Sequence, residues 1–521
     1  MSFFIRKTII AIFLFAPFLL AEGAIAKTIY VRDYGILNAK NGLEAYWILL
    51  RCHQDAVKDG NILSYKGIDN VNLDIPQDAI SIPLPDKTDF AGVTIRVENR
   101  VKDIALFSKS TTFTTVCVKK EEIDGGSFCE DVLARGKILL AISDETPWVN
   151  NRKGTSDRVI RRDILLLDRG KARMRPISPY NNVVSSPICE FCNVDNHRKE
   201  FKNLCFIRSA NSNHITTLIK IRGQCNMLIK NVSTKTPENN TMFADGILSI
   251  DNSVKIAIES LDIDGSYSQK DRFGYGIIVN NVNDITLKKV KAITKWGFFC
   301  SSNVQNVKIE DCVINRIDLH CYGKNFECKN CDFKGKDIPF AGIYGTVKFV
   351  KCQFTQGLPL YLRQEYNANT PFSVVWDKCV FNLHKGGNSL IGVNGLSKER
   401  PSRNELAHKN LPNIIIKDCR IYLLEDVSSW NLIKTGNVEW DEPIWNLNEI
   451  RIDGLEINKE ATMKLLTTPV VTKESLRVTI KRVYEIKDGK RRRLKINCLS
   501  AGENTSITCD GQPIAFDSNF K

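Results

Sequence analysis

The sequence predicts an all-β fold: a parallel β-helix with an N-terminal capping helix and a small C-terminal antiparallel β-unit. Three observations carry the prediction. First, one short frame recurs: an apolar residue, a second two positions on, a Cys or aliphatic three further, and an apolar residue two beyond that. Its clearest copies are Val307-Ile309-Cys312-Ile314, Phe326-Cys328-Cys331-Phe333, Val347-Phe349-Cys352-Phe354 and Val374-Trp376-Cys379-Phe381. Second, the two-residue steps are strand periodicity and the three-residue step breaks it, so the chain must bend between two short strands. Third, the third positions of the frame (Val232, Leu261, Val290, Cys312, Cys331, Cys352, Cys379, Cys419 and Leu455) follow one another at intervals of 19 to 40 residues. A constant apolar frame with variable spacing is what stacked coils produce, because inward positions must pack on the coils above and below while outward loops are free.

In chain order, Lys7, the apolar run from Thr8 to Leu20 and the closing Ala24-Ile25-Ala26 read as a secretory signal peptide over residues 1–26. The run is short for a membrane span, which needs about 20 residues. Residues 27–210 hold the cap and the first coils with loop insertions. A strand at 28–35 ends at Gly35; Leu43, Tyr46, Trp47, Leu50 and Val57 then stand near helical spacing until Gly60. Such a helix covers the open end of a strand stack and prevents edge-to-edge association. Strands at 93–97, 138–142 and 164–167 follow, and the polar stretch from Trp148 to Arg162 reads as a loop insertion. Residues 211–470 are the β-helix core. In the C-terminal unit, 471–521, strands at 476–480 and 494–498 flank the turn signal Asp488-Gly489, beside the basic run 490–493.

The net charge of +14 favours acidic partners: a uronic-acid polysaccharide or an anionic cell-surface glycan. Export, which places the protein in the periplasm, at the cell surface or outside, argues against nucleic acid. No segment after the leader is apolar enough to span a bilayer, and no sequence feature fixes the oligomeric state. Seventeen Cys in an exported chain suggest disulfides. The candidates are Cys117–Cys129 across the Gly125-Gly126 turn, Cys189–Cys192 or Cys192–Cys205, and Cys498–Cys509. Cys189, Cys192, His197 and Cys205 also have metal-ligand spacing, with a disulfide the favoured reading. Cys312, Cys331, Cys352, Cys379 and Cys419 share one register position and read instead as an inward ladder of free thiols. Asp33, Asp245, Asp271 and Asp284 are scattered and form no Ca²⁺ loop, so no cofactor is expected, a Ca²⁺-dependent lyase mechanism being the unsupported alternative; nucleotide-binding loops and the G-x-S-x-G elbow are absent.

Several segments resemble a group of secreted β-helix proteins of Bacteroidetes-type bacteria: Tyr65-Lys-Gly-Ile68, Asp89-Phe-Ala-Gly92, Trp296-Gly297, residues 315–323, Tyr344-Gly-Thr346 and residues 366–372. The strand, Asp-Tyr-Gly turn and helix at the N-terminus, and more distantly the whole chain, resemble the pectate lyase superfamily. The resemblance implies a right-handed parallel β-helix and transfers no catalytic residue. The Asn-Thr-Asp, Asp-Asp and Gly-His-Gly marks of polygalacturonase-type glycosidases are absent.

Chemistry is expected between the frames. Arg316, Asp318 and His320 are two apart, so an extended segment projects all three from one face, with Tyr322 and Lys324 continuing the series. Arg363, Glu365, Tyr344 and Tyr366 come one or two coils later. In a lyase, His320 or Tyr322 would take the proton α to a uronate carboxyl group and Arg316 or Arg363 would stabilise the enolate-like charge. In a glycosidase, Asp318 and Glu365 would flank the scissile bond. Lys324, Tyr344 and Tyr366 would line the sugar groove. The alternative is a non-catalytic surface, adhesion or glycan-binding scaffold in which the Arg316–Asp318 pair only stitches a turn.

Overall fold

The computed structural model describes residues 26–513, apart from 98–103, 129–135, 150–158, 179, 181–185, 196, 209–216, 236–246, 264–274, 294–296, 336, 356, 364–371, 385–386, 394–407, 425–426, 436–443, 467–475, 494 and 498–505. All of the expected signal peptide except Ala26 lies outside them.

Coiling begins at the first described strand. Thr28–Tyr30 pairs in parallel with Ile62–Ser64, which pairs with Lys87–Asp89, which pairs with Lys199–Arg208. Helix α1 (Gly42–Lys58) is capped by Asn41, whose side chain accepts from the Glu44 N–H at 2.9 Å. It buries Tyr46, Leu49, Leu50, Cys52 and His53 against the first coils, whereas Leu43, Trp47 and Val57, expected on the same face, are exposed. The buried stripe runs through Ala45, Leu49, Cys52 and Ala56, residues that the apolar reading passed over.

Between the coil strands Phe107–Ser110 and Lys199–Arg208 the chain leaves the rod to form a separate five-stranded antiparallel sheet. At its centre β1 (Lys137–Val149) and β2 (Val159–Asp168) pair along their length. The stretch expected as a loop from Trp148 to Arg162 is therefore strand at both ends, with 150–158 outside the described residues. Between Cys117 and the position of Cys129 the expected hairpin is a short helix, α2 (Lys120–Gly125), closed by Gly126 at φ 70°.

The rod then continues through β3 (Leu248–Ile263), β4 (Tyr275–Lys288), β5 (Gly297–Glu310) and β6 (Ile317–Lys329), each pairing in parallel with the next. Ile277, Val279, Val282, Ile285, Leu287, Val290 and Ala292 trace one turn of the core, all buried. The same parallel register reaches Arg477–Lys487 and Ser506–Cys509. The C-terminal antiparallel element consists of two hairpins on these last rungs, 477–487 with Lys490–Arg493 and 506–509 with Gln512–Pro513. Among the described residues no helix is long and apolar enough to cross a membrane.

The three-residue step of the frame has a backbone cause. Asn203, Asn231, Ser260, Lys289, Asp311, Asn330, Lys351, Lys378 and Asp418 occupy equivalent rungs with φ between 47° and 63°, and Gly454 follows at φ 87°. One left-handed residue reverses the alternation, so that the residue after it, the third position of the frame, points inward. Asn and Asp tolerate this state; for other non-glycine residues it costs about 1–2 kcal/mol. Amide ladders tie neighbouring corners: Asn330 Nδ2 donates to Asp311 Oδ1 at 3.0 Å, and Asn325 Nδ2 to Asn306 Oδ1 at 3.1 Å.

Cys312, Cys331, Cys352, Cys379 and Cys419 stand directly after these corners, buried and free. Each thiol lies 3.1 to 3.6 Å from the carbonyl two residues back, an oxygen that already accepts a backbone N–H from the preceding coil. Alongside, Phe333, Phe354 and Phe381 stack with centroids 5.0 and 5.1 Å apart.

Candidate functional site

On the outer face of β4, β5 and β6, Ile278, Cys300 and Asp318 form one column across three successive coils. Asp318 is fully buried, and donors converge on it. Tyr275 Oη donates to Asp318 Oδ2 at 2.6 Å, Arg316 Nη2 to the same oxygen at 2.7 Å, and Arg363 Nη1 to Oδ1 at 3.4 Å. His320 Nε2 lies 3.6 Å from Oδ2 and 3.2 Å from the Tyr275 hydroxyl. Burial by itself would raise the Asp318 pKa; the hydrogen bond and charge of His320, the Arg316 charge and the Tyr275 hydroxyl overcome it and hold the carboxyl well below the usual range. Asp318 is therefore a fixed anion between two guanidinium groups. Burial, reinforced by Asp318, pushes the neighbouring Cys300 thiol up and keeps it protonated. His320, with 30% of its side chain exposed, is the member open to solvent; the Arg316 and Arg363 side chains are 11% and 9% exposed.

Tyr275 had no signal of its own in the sequence. It reaches Asp318 because the rung beneath it is Gly297, where a Cβ would lie 2.7 Å from the tyrosine ring. The Trp-Gly pair at 296–297 was the available mark, since glycine inside a strand signals close approach.

The remaining expected site residues divide. Tyr322 turns away from the cluster. It occupies the left-handed rung (φ 57°) that follows Asn252, Asn281 and Asn303, and it is buried against the five-stranded sheet. Its hydroxyl meets Ser178 Oγ at 2.9 Å and Asp163 Oδ2 at 3.5 Å, and Tyr344 packs edge-on at 6.0 Å. Strict alternation from Asp318 fails for a physical reason: a bulge at His320 and the left-handed state of Tyr322 both intervene. Lys324 is half-buried and paired with Tyr344 on the next coil. Glu365 and Tyr366 lie outside the described residues.

The joint around Tyr322 was not foreseen. Asp163 there is fully buried, accepting from the Ile177 N–H at 2.9 Å and the Tyr180 hydroxyl at 2.8 Å. Arg161 lies 3.8 Å over the Tyr180 ring and 3.7 Å from Asp163 Oδ2. Burial pushes the Asp163 carboxyl up to about 6 against the opposing pull of Arg161 and the hydrogen bonds. Asn281 donates to the Asp163 carbonyl at 3.2 Å, and the Arg162 N–H donates to Asn303 at 3.0 Å, so β2 is fastened rung by rung.

The expected Cys189–Cys192 and Cys192–Cys205 bridges are not formed. Cys117, Cys189, Cys192, Cys205 and Cys509 are free. Cys189 and Cys192, three apart on one strand, enter separate apolar clusters of the small sheet, and Cys205 belongs to a rod strand. Cys129 and Cys498 lie outside the described residues. Among the described residues no group of three or more His, Cys, Asp or Glu comes together to hold a metal. Two open concavities, of about 330 and 290 Å³, lie away from Asp318. The first is lined by Arg420, Glu456, Arg482, Tyr484 and Arg491, the second by Asn306, Lys308, Asn325, Glu327 and Lys348.

No family model matches the chain, and no curated protein matches it in sequence. Its fold is similar to that of the tailspike protein gp49 from Pseudomonas phage LKA1 (TM-score 0.60, 12% identity, 92% of this chain and 84% of that one). It is also similar to the Pseudomonas phage phi297 tailspike gp61 (TM-score 0.55, 13% identity, 93% and 84%). A third similar structure is the gp54 tailspike of Acinetobacter baumannii bacteriophage AP22, solved in complex with A. baumannii capsular saccharide (TM-score 0.52, 11% identity, 92% and 79%). At these identities the likeness is one of fold: the chain is a right-handed parallel β-helix.

Proposed function

We propose that this protein is an exported β-helix that binds an acidic polysaccharide across the outer face of β4 to β6. The observation that carries the reading is the convergence of Arg316, Arg363, His320 and Tyr275 on one buried carboxylate, which gathers two guanidinium groups and an imidazole on one face between β4 and the coil of Arg363, two coils beyond β6. The overall charge of +14 supports it, as does the saccharide held by a tailspike of similar fold. The leader at residues 1–26 and the likeness to secreted bacterial β-helix proteins support an extracellular or periplasmic setting.

In its catalytic form the site acts by β-elimination. His320, the solvent-open group, takes the proton α to a uronate carboxyl group, and the guanidinium of Arg316 offsets the developing enolate charge; the bond from the β carbon to the glycosidic oxygen then breaks, a carbon–carbon double bond forms, and the leaving oxygen takes a proton from water. Asp318 keeps both arginines and the imidazole in place. The complete burial of Asp318, with donors on both oxygens, favours a second reading in which the cluster stitches the coils and the face binds glycan without cleaving it.

A panel of uronic-acid polymers separates the two, with unsaturated products followed by absorbance and retention on the immobilised polymer measuring binding. Product formed by the native chain and lost in His320→Ala supports elimination. Retention without product supports the scaffold. Failure to bind any acidic polymer sinks both.

A further inference from the structure

We propose that Tyr322 is a positioning residue: seated in the joint with the five-stranded sheet, it holds the one-residue bulge that aims His320 at Tyr275 and Asp318. This rests on reading the Asp318 cluster as the glycan site.

Ile317, Asp318 and Leu319 pair with Phe299, Cys300 and Ser301 of β5, but the next partner, Ser302, pairs with Cys321. His320 is the extra residue. A bulge of this kind disappears if the strand slides by one position, and such a slide turns side chains to new faces. Here it would set His320 opposite Ser302 and bring Cys321, in place of Tyr322, to the corner opposite Asn303. The imidazole would leave the Tyr275 hydroxyl, which it now meets at 3.2 Å.

The features opposing the slide lie on the five-stranded sheet. The preceding corners use Asn252, Asn281 and Asn303, a residue type suited to the left-handed state. The fourth uses tyrosine, a poor occupant that needs outside support. The support is specific. The Tyr322 hydroxyl meets Ser178 Oγ at 2.9 Å, Arg161 lies 5.3 Å over its ring, and Cys321 beside it packs with Ile177 and Ala341. Asn281 and Asn303 hydrogen-bond the backbone of Asp163 and Arg162; the longer tyrosine reaches the carboxylate of Asp163. One strand of the small sheet thus fixes three consecutive corners, and the last of them sets where His320 falls.

The test uses the full chain with labelled histidine. There are six histidines, and His320→Gln assigns the His320 signal. Tyr322→Phe and Ser178→Ala each remove one side of the same hydrogen bond, 144 residues apart in sequence. Each should move the imidazole nitrogen resonances of His320. Each should also lower affinity for an oligogalacturonate by roughly two- to tenfold, the effect of one lost hydrogen bond. The double variant should do no more than the larger single variant. Unmoved His320 resonances, whatever the change in melting temperature, overturn the proposal. Moved resonances in a chain whose native form binds no acidic oligosaccharide leave the positioning role standing and remove the glycan reading.

Discussion

The joint between the rod and the five-stranded sheet should be tighter in mild acid than at neutral pH. Asp163 is fully buried, and its carboxyl stands at about 6 against 3.8 for the ordinary group. Its folded value is raised, so between these two values the docked state holds a proton that the opened state has lost. Stability of the joint is therefore fully present below about pH 3.8, falls as pH rises through about 6, and is level above that. Roughly two pH units correspond to about 3 kcal/mol. Hydrogen exchange of β2 amides, corrected for the intrinsic pH dependence, reads this local opening directly. Protection should drop between pH 4 and 7 in the native chain, and Asp163→Asn, which cannot titrate, should flatten the slope. Protection that rises across this range, or an unchanged slope in Asp163→Asn, would refute the reasoning. Asp318 acts with the opposite sign: its depressed carboxyl contributes stability above the unfolded value, lost only as pH falls through the much lower folded value.

Four further outcomes follow from the geometry. Asp318→Asn removes the carboxylate that the nearly buried Arg316 and Arg363 share and should cost about 3–5 kcal/mol in urea unfolding. Gly297→Ala drives a methyl group into the Tyr275 ring and should cost about 1–3 kcal/mol while weakening retention on acidic polymer. Lys351→Asn, at a left-handed corner, should raise unfolding free energy by about 0.5–1 kcal/mol. Cys312, Cys331, Cys352, Cys379 and Cys419 should resist a thiol reagent in the native chain and all react after denaturation, with or without prior reduction.

The inward frame was legible in the sequence because packing repeats it locally: Val307, Ile309, Cys312 and Ile314 stand within eight positions of one another and recur. Even the bend could be placed, although not its cause, since the left-handed corners accept Lys351 and Lys378 as well as Asn330. Most of the candidate cluster was legible: Arg316, Asp318 and His320 are near neighbours in sequence for the same reason, and Arg363 was expected one or two coils later. Tyr275 was not, because its partner Asp318 lies 43 residues away and only Gly297 between them records the contact. Tyr322 was misassigned because strict alternation assumes an unbroken strand. Arg161 was hidden at the end of what read as a polar loop and Asp163 lay just past it; their burial depends on a surface supplied by residues 281 to 322, more than a hundred positions later.

The column of left-handed corners changes what an insertion can do to this protein. The turn is set by a backbone state at one residue and not by distance along the chain, so each coil begins its count afresh. Intervals of 19 and 40 residues deliver the next strand to the same rung. A lengthened loop cannot push an error into the following coil, and a whole coil can be copied or excised from one corner to the next with both neighbours still in register. The rod can thus be inherited intact while its outer surface is rewritten one coil at a time.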